Sequence, residues 1–302
     1  MKRSMSLVLA IALCCSASLV TQAADKAQPQ VKPQVKPNFK IVLIAGSVQA
    51  VDKPGHHDYI AGCKLLETLL KQTTGVETAL VLDGWPKDEK VFDGASSVVF
   101  YTDGGGKQAY LKTPKRVALI EKLVASGVGI VNIHQAVDYP GKFTKQATSW
   151  IGGTYVKGKS GRGHWPSAHT FFYPHPIARG VKPWKVNDGW LNKIQFVQNM
   201  KGITPLLRSS KVPKNSDDIG DEDVVAWTYE RPGGGRSFCY TGLDMHQFFK
   251  LAGVRQMVVN GVLWSAGASI PEQGAPCQIG DKQIDALMTP RKSKKKPAGK
   301  KI

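Results

Sequence analysis

The stretch KIVLIAG (residues 40–46), followed after a polar loop by DYIAGCKLLETLLKQ (residues 58–72), decides the fold class of this chain. The first run is short, apolar and closed by glycine, which is typical of a parallel strand buried on both faces. In the second run the apolar residues recur at helical spacing, namely Ile60, Cys63, Leu66, Leu69 and Leu70. A strand, a loop and a helix therefore form the first structural unit.

The same alternation of strand and helix continues along the chain. Residues 76–82, 96–103 and 127–134 are apolar runs that predict further strands, and residues 113–126 predict a helix before the last of them. Strands that alternate with helices in this way form parallel sheets covered on both faces. We therefore expect an α/β fold with a doubly wound parallel sheet.

The second half of the chain has a less regular pattern. Residues 224–229 and 237–241 predict two strands, and the glycine turn between them predicts an antiparallel hairpin late in the chain. Residues 254–265 predict a last helix. Because no linker interrupts residues 39–268, we expect them to form one domain, followed by a C-terminal extension over residues 269–302.

The first residues of the chain predict export. Two basic residues precede an apolar run (residues 7–20) and a stretch of small residues (21–24), which indicates a signal peptide over residues 1–24. The apolar run is shorter than the ~20 residues of a membrane span, so no transmembrane segment is expected in the mature chain. Residues 25–38 are rich in proline, glutamine and lysine and predict an extended spacer. The expected location is periplasmic or secreted.

The formal net charge of +18 is concentrated at the two ends of the chain. Net charges of +5 up to Lys40 and of +7 after Thr289 make up two thirds of it, so the predicted domain itself lacks a strongly basic character. The tail PRKSKKKPAGKKI (residues 290–302) has too few apolar residues to pack and is expected to be disordered. It either contacts polyanions or serves only to keep the protein in solution.

Polar side chains follow four of the predicted strands. They lie in GHHDY (residues 55–59), in DGGG (residues 103–106), at His134 and in LDMH (residues 243–246). Ligands of open α/β sheets bind outside the carboxyl ends of the strands, where such loops converge. The sequence therefore predicts one polar crevice at this edge of the sheet.

Each candidate in the predicted crevice has a structural alternative. His134 directly ends a strand and is expected to point into the crevice. His246 precedes the aromatic pair Phe248 and Phe249, which would form one wall, and Asp244 either binds substrate or only caps its loop. Asp58 is the natural cap of the first helix, although it is also a candidate for orienting catalytic groups.

Two further features are candidates for sugar binding. Asp103, Gly104 and Gly105 begin a glycine-rich turn whose backbone N–H groups would form an anion-binding or hydroxyl-binding nest, unless the turn is simply mobile. Trp165, in a predicted loop over residues 161–169, is either a platform on which a sugar ring stacks or a side chain packed on its own domain.

Five motifs together resemble the ThuA-like (trehalose utilisation) family. They are GVGIVNIHQA (127–136), HPIARGV (175–181), VNDGWLN (186–192), GGGRSFCYTGLDMH (233–246) and VRQMVVNGVLWSAG (254–267). The resemblance covers residues 40–268. It implies a flavodoxin-like fold related to class I glutamine amidotransferases.

The chain departs from the amidotransferases at the position that matters most for their chemistry. In those relatives the glycine turn after the third strand supplies oxyanion donors, and the next strand ends in a nucleophilic cysteine. Here DGGG occupies the first position and His134 the second. The resemblance therefore implies that this chain does not hydrolyse glutamine. Asp188 is the candidate equivalent of an acidic residue that the ThuA-like relatives carry.

The resemblance also implies a role in carbohydrate catabolism, on 3-keto-glycosides that a sugar 3-dehydrogenase would supply. A ketone at C3 acidifies the proton at C2, so that a base starts an elimination and a second group protonates the leaving oxygen. His134 and His246 are expected to act as base, acid or metal ligands, with Asp58 or Asp103 orienting them. The residues expected to bind substrate are Gly104, Gly105, Trp165, Asp188 and Asp244.

A divalent metal, zinc or a similar ion, is the expected cofactor if one is present. Its expected ligands are His57, His134 and His246, because imidazoles with a carboxylate suit zinc. No HExxH motif supports this site, and no nucleotide cofactor is expected. The competing hypothesis is a non-catalytic protein that binds carbohydrate, or acts as a scaffold, through an amidotransferase-like pocket without the cysteine.

Overall fold

The computed structural model describes residues 39–47, 53–170, 172–209 and 224–290. The predicted signal peptide and spacer, and the basic tail from residue 291 onward, lie outside these residues. The strands in chain order are β1 Phe39–Ala45, β2 Val76–Val81, β3 Ala95–Tyr101, β4 Gly129–Ile133, β5 Gly153–Thr154, β6 Gly161–His169, β7 Trp184–Asn192, β8 Gln195–Phe196, β9 Ile203–Arg208, β10 Val224–Glu230 and β11 Arg236–Tyr240.

A seven-stranded sheet forms the centre of the described part of the chain, with the order β2-β1-β3-β4-β11-β10-β9. The first five strands in this order are mutually parallel, and β10 pairs antiparallel with both β11 and β9. The predicted parallel α/β sheet and the late hairpin are both confirmed. Two smaller antiparallel pairs, β5 with β8 and β6 with β7, lie outside this sheet.

Helices cover both faces of the sheet. They are α1 Tyr59–Leu70, α2 Pro114–Ala125, α3 Thr144–Ile151, α4 Ala252–Ser265 and α5 Asp281–Ala286. Along β1, Ile41 and Leu43 belong to the core formed with α1 and α4, whereas Val42 and Ile44 belong to the core on the other face, with α2 and α3. The unbroken apolar run that predicted β1 therefore reflects burial on two faces. Among the described residues, no helix is long and apolar enough to cross a membrane.

Residues 161–169 form strand β6, where a loop was expected. The glycines, the proline and the serine of this segment have low strand propensity, which is why its composition indicates a loop. Pairing with β7 along its whole length overrides that propensity.

The packed chain continues beyond Ala268, where the domain was expected to end. Ile270, Ala275, Cys277 and Ile284 are buried in the same core as α1 and α4. This stretch shows no strand or helix periodicity until α5, so its apolar residues were not recognisable as a core contribution. Residues 269–290 are thus part of the folded unit.

Candidate functional site

The carboxyl ends of four neighbouring parallel strands bring the candidate residues together. His56 and His57 lie in the loop between β1 and α1, Asp103 follows β3, His134 follows β4, and Asp244 follows β11. Of the predicted site residues, the structure gathers His57, Asp103, His134 and Asp244 in one place. They form the candidate site described below.

Asp244 lies at the centre of this site. Its Oδ1 atom is 3.1 Å from Nε2 of His56, 2.9 Å from Nε2 of His57 and 3.2 Å from Nε2 of His134. Its Oδ2 atom is 3.0 Å from Nε2 of His164, on β6. One buried carboxylate thus meets four imidazoles from three separate segments of the chain. We refer to His56, His57, His134 and Asp244 as the histidine cluster.

The backbone and hydrogen bonds of His134 fix its ring. The residue has a left-handed backbone, with φ of 57°, which non-glycine residues adopt mainly where the surrounding structure enforces it. Its Nδ1 atom lies 2.9 Å from the carbonyl oxygen of Thr241, which only accepts, so Nδ1 carries a proton. In the neutral ring the lone pair on Nε2 then points into the histidine cluster, 3.1 Å from Nε2 of His57.

The charges of the cluster support one another. Burial by itself raises the pKa of Asp244, but hydrogen bonds from His134 and His57 outweigh burial and hold that pKa well below its ordinary value. Burial likewise opposes protonation of His134, yet the hydrogen bond and charge of Asp244 raise its pKa above the ordinary value. The cluster therefore holds an anionic carboxylate against His134, whose positively charged form this carboxylate stabilises.

Asp188 supports the turn that carries Asp244. It is buried, and its carboxylate accepts N–H bonds from Gly189 (2.7 Å), Leu243 (2.7 Å) and Asp244 (3.0 Å). Burial, although opposed by the charge of His134 and by these bonds, raises the pKa of Asp188 to about 6. Both carboxylate oxygens of Asp188 accept backbone N–H groups, so this residue holds Asp244 in place. It does not line the cleft, although it was expected to bind substrate.

Asp103 forms the second carboxylate of the site. Its Oδ1 accepts the hydroxyl of Tyr59 at 2.6 Å and lies 3.6 Å from Nδ1 of His57, and its Oδ2 is 3.0 Å from Nζ of Lys107. His57 therefore lies between two carboxylates, with one ring nitrogen facing each of them. This arrangement orients the His57 ring and leaves Asp103 at the wall of the adjoining cavity.

The glycine turn after Asp103 differs from the expected nest of donors. The N–H of Gly105 donates to the carbonyl of Asp138 at 2.8 Å, and the N–H of Gly106 donates to Oε1 of Gln108 at 2.9 Å. These amides are bonded within the protein and do not point into the crevice. Gly104 is required for packing instead, because a Cβ atom there would lie 2.4 Å from the carbonyl oxygen of Gln135.

A polar cavity of about 450 Å³ opens beside the histidine cluster. Its lining includes His56, His57, Asp103, Lys107, Asp138 and Arg162. A second cavity of about 350 Å³ adjoins it and shares Gly105, Asp138 and Arg162 with it. The charged groups at this wall are paired, since Arg162 lies 2.8 Å from Asp138. The space suits a small polar ligand with hydroxyl groups.

Two predicted site residues lie elsewhere. His246 is 1% exposed, and its Nε2 lies 2.9 Å from the carbonyl oxygen of Ile284, so it does not reach the histidine cluster. Asp58 is the N-cap of α1, as one prediction had it, with Oδ1 accepting the N–H of Ala61 at 3.3 Å. Its other bonds go to Thr289, so it does not face the crevice either.

Trp165 is not available as a sugar platform. It is buried, and its Nε1 donates to Oγ of Ser209 at 2.9 Å. Successive side chains of a strand point to opposite faces, so on β6 the neighbouring His164 points to the site while Trp165 points inward. Sequence reasoning missed His164 because it did not assign a strand here, and the alternation along residues 161–169 was the available signal.

The thiols of the described residues cannot replace the missing nucleophile. Cys63, Cys239 and Cys277 are buried and unpaired, and burial raises the pKa of each. A buried thiol of raised pKa is a poor nucleophile. The position at the end of β4 belongs to His134, so the chemistry of this edge of the sheet rests on imidazoles and carboxylates.

The histidine cluster has the donor set and the spacing of a metal site. His56, His57 and Asp244 offer ligand atoms that all lie within 4.8 Å of one another, and Nε2 of His134 lies 3.2 Å from the same carboxylate oxygen. Tetrahedral zinc, with bonds of about 2.0–2.1 Å, places its ligand atoms about 3.3 Å apart. The backbone carbonyl that holds His134 is the usual outer partner of a ligating imidazole. His246, an expected ligand, lies outside this group, whereas His56 and Asp244, which were not expected to bind metal, lie within it.

Comparisons with known proteins agree with this architecture. The family model of ThuA, described as trehalose utilisation, matches residues 47–265. No relative among curated proteins matches the chain.

Solved structures of ThuA-like proteins share the fold. One from Parabacteroides merdae is 15% identical, with a TM-score of 0.51, over 82% of this chain and 98% of that one. One from Bacteroides uniformis is 13% identical, with a TM-score of 0.54, over 83% and 99%. Because the family model spans most of the described fold, this chain belongs to the ThuA (trehalose utilisation) family.

Proposed function

We propose that this protein is an exported, metal-assisted enzyme that cleaves 3-keto-glycosides. The observation that carries the proposal is the convergence of Nε2 of His56, His57 and His134 on one oxygen of Asp244, beside a polar cavity. Membership of the trehalose utilisation family supports a carbohydrate substrate. The basic and apolar leader of the sequence supports export.

The residues of the histidine cluster would hold a divalent ion such as zinc. When bound, such an ion polarises a keto oxygen and so acidifies the neighbouring C–H bond. When His134 is protonated, its Nε2 donates to the Asp244 carboxylate at 3.2 Å, and a divalent ion would take the place of that proton. Two neighbours fix these ligands: Asp188 accepts the N–H of Asp244, and the carbonyl of Thr241 accepts the Nδ1–H of His134.

Asp103 is the base that we assign to the elimination. It lies at the wall of the cavity, and its carboxylate would take the proton from C2 of the sugar. The electron pair of that C–H bond forms the C1–C2 double bond as the C1–oxygen bond breaks, and the departing oxygen takes a proton. Lys107, 3.0 Å from Asp103, supplies a cationic N–H at the same wall. Addition of water to the double bond completes a net hydrolysis.

The proposal implies a reaction that precedes this one. A C3 ketone does not occur in ordinary glycosides, so a sugar 3-dehydrogenase must supply the substrate. Such an oxidation also explains why this site needs no redox cofactor of its own for the cleavage step, because elimination and hydration leave the overall oxidation state unchanged.

The test is release of free sugar from a 3-keto-disaccharide by the purified protein, with and without a chelator. We expect release by the wild type, loss on chelation, and a fall of at least ~100-fold in His134→Ala. His175→Gln is the matched control, because His175 lies at a different cavity, lined by Tyr173 and Arg179.

Two results would contradict the proposal in different ways. Equal rates for wild type and His134→Ala would show that the histidine cluster is not catalytic. Binding of the keto-disaccharide without any release of sugar would favour the competing hypothesis of a non-catalytic carbohydrate-binding protein.

A further inference from the structure

The loop that carries His56 and His57 depends on contacts with distant parts of the chain. Gly55 and His57 both have left-handed backbones, with φ of 78° and 47°. The φ of Gly55 favours glycine, and a Cβ atom there would displace the end of the Gln247 side chain, whose Oε1 would lie 2.3 Å away. Such a backbone is kept in place only where neighbours hold it.

One side of this loop is fastened to the turn after β11. The N–H of His57 donates to the carbonyl of Asp244 at 3.0 Å, and the N–H of His246 donates to the carbonyl of Gly55 at 2.8 Å. His56 also forms an isolated antiparallel bridge with Met245. These bonds join the loop to the segment that carries Asp244.

The other side of the loop is fastened to the C-terminal end of the fold. Asp58, the residue directly after His57, is 1% exposed, and Thr289 supplies two of the hydrogen bonds to its carboxylate. The Thr289 hydroxyl donates to Oδ1 at 2.7 Å, and the Thr289 N–H donates to Oδ2 at 2.8 Å. A buried carboxylate requires such donors, so Asp58 keeps its position through Thr289.

Further contacts hold the segment around Thr289 against the same region. The side-chain amide of Gln247 donates to the carbonyl of Pro54 at 3.3 Å and lies 3.2 Å from Sδ of Met288. Nζ of Lys250 lies 2.7 Å from Asp285 on α5. Residues 281–289, which we call the C-terminal clasp, thus touch both the loop and the segment after β11.

We propose that Thr289 is a positioning residue of the metal site, which the C-terminal clasp completes by fixing the loop of His56 and His57 through Asp58. The clasp lies beyond residues 47–265, which match the family model. This inference rests on the proposed metal site, because it assigns a role in preparing that site's ligands.

Ligands that are ordered before the metal arrives lower the entropic cost of binding it. A metal binds most tightly to ligands that are already held in the geometry it requires, and loss of such support typically lowers affinity about 10–100-fold. When the Thr289 hydroxyl is removed, one oxygen of the Asp58 carboxylate loses a donor next to His57. The loop then has more conformations, and binding must select among them.

The experiment compares Thr289→Val, Thr289→Ser and Asp58→Asn in the full-length protein. Asparagine is as good a helix cap as aspartate, so Asp58→Asn keeps α1 capped while its amide group meets the Thr289 N–H as a second donor. Thr289→Ser restores the hydroxyl. Thr68→Val is the matched control, because it removes a hydroxyl bonded to the Lys64 carbonyl on the exposed side of α1.

Two readouts are measured for each protein. The first is affinity for Zn²⁺, by competition with a chromophoric chelator. The second is hydrogen exchange over residues 53–60 in the metal-free protein. We expect Thr289→Val and Asp58→Asn to bind Zn²⁺ about tenfold more weakly and to exchange faster over that loop. Thr289→Ser and Thr68→Val should match the wild type in both.

The inference fails if Thr289→Val and Asp58→Asn keep wild-type Zn²⁺ affinity and wild-type exchange over residues 53–60. It also fails if Thr68→Val has the same effect as Thr289→Val. If the wild type itself does not bind Zn²⁺ while exchange still rises in Thr289→Val, the metal site is wrong, but the clasp still positions the loop. The two failures are thereby distinguished.

Discussion

At the scale of single residues, His134 combines a left-handed backbone with a ring held on both sides. The carbonyl of Thr241 fixes one nitrogen, and the histidine cluster surrounds the other. His134 follows β4 directly, with a φ of 57°, so its ring lies at the carboxyl edge of the sheet. Such local strain is typical of functional positions, where the surrounding fold compensates for it.

We predict that His134→Asn and His134→Val, which both remove the imidazole ring, destabilise the protein to different extents because they differ in how readily they adopt a left-handed backbone. Asparagine adopts a left-handed backbone far more readily than a β-branched residue. His134→Asn should therefore lower the free energy of unfolding by at most about 1–2 kcal/mol, and His134→Val by clearly more. Urea unfolding of the metal-free proteins measures both values. Equal destabilisation by the two substitutions would mean that the backbone of His134 is not under strain.

Single residues also mark the limit of what the sequence predicts about the site. His134 and Asp103 end apolar strands, so their place at the carboxyl edge followed from the pattern alone. The assignment of His246 was wrong for a geometric reason: it lies two positions after Asp244, and the sequence does not indicate which side chain of that turn faces the crevice. The bond from the Asp244 N–H to Asp188 and the bond from the His134 ring to the Thr241 carbonyl have no sequence signature.

At the scale of secondary-structure elements, the apolar face of β6 contains a titratable group. His169 is buried against Trp184 and Trp190, with ring centroids 4.9 Å and 5.7 Å away, on the face opposite to His164. Burial lowers the pKa of His169 to about 4. The hairpin of β6 and β7 therefore holds this imidazole in its neutral form.

This lowered pKa predicts a loss of stability in acid. The unfolded chain binds a proton near the ordinary pKa of about 6.5, whereas the folded protein binds it only near 4, so stability falls as the pH drops through that window. Between pH 7.5 and pH 5 the loss from this one group is about 2 kcal/mol. In His169→Phe, which keeps an aromatic ring without titrating, that part of the loss should disappear.

The measurement is the free energy of unfolding in urea for both proteins at pH 7.5 and at pH 5. For each protein the free energy at pH 5 is subtracted from that at pH 7.5, and the wild-type loss minus the His169→Phe loss gives the contribution of His169. Other titrating groups cancel, including His175, whose pKa is also lowered to about 4, mainly by burial and further by the charge of Arg236. If His169→Phe loses as much stability in acid as the wild type, the ring of His169 is not excluded from solvent in the way described.

The elements differ in how well the sequence predicts them. The strands of the parallel sheet and helices α1, α2 and α4 followed from apolar runs and helical spacing, because burial dominates their composition. The hairpin of β6 and β7 did not, because glycine, proline and serine hide its alternation. The C-terminal clasp did not either, because it is defined by contacts with Asp58 and Gln247 that are distant in sequence.

At the scale of the whole molecule, the site exists only because the sheet order brings distant segments together. Strands β1, β3, β4 and β11 are neighbours, although the last lies more than a hundred positions after β4 along the chain. Parallel strands end at the same edge, so the loops that follow them supply one cavity with ligands. Membership of the ThuA family accounts for this framework, and the ring of imidazoles around Asp244 gives it a chemistry distinct from that of a cysteine nucleophile.

The central claim is that ligands from three of these segments hold one metal ion, and its most direct test is the metal stoichiometry of the whole protein. Metal-free wild type, His57→Ala, Asp244→Ala and the control His175→Gln are each titrated with Zn²⁺ and analysed for bound metal after desalting. The account predicts one tightly bound Zn²⁺ per chain in the wild type and the control, and loss of that ion in His57→Ala and Asp244→Ala. Wild type that retains no Zn²⁺, or His57→Ala and Asp244→Ala that retain it as the wild type does, would contradict the account.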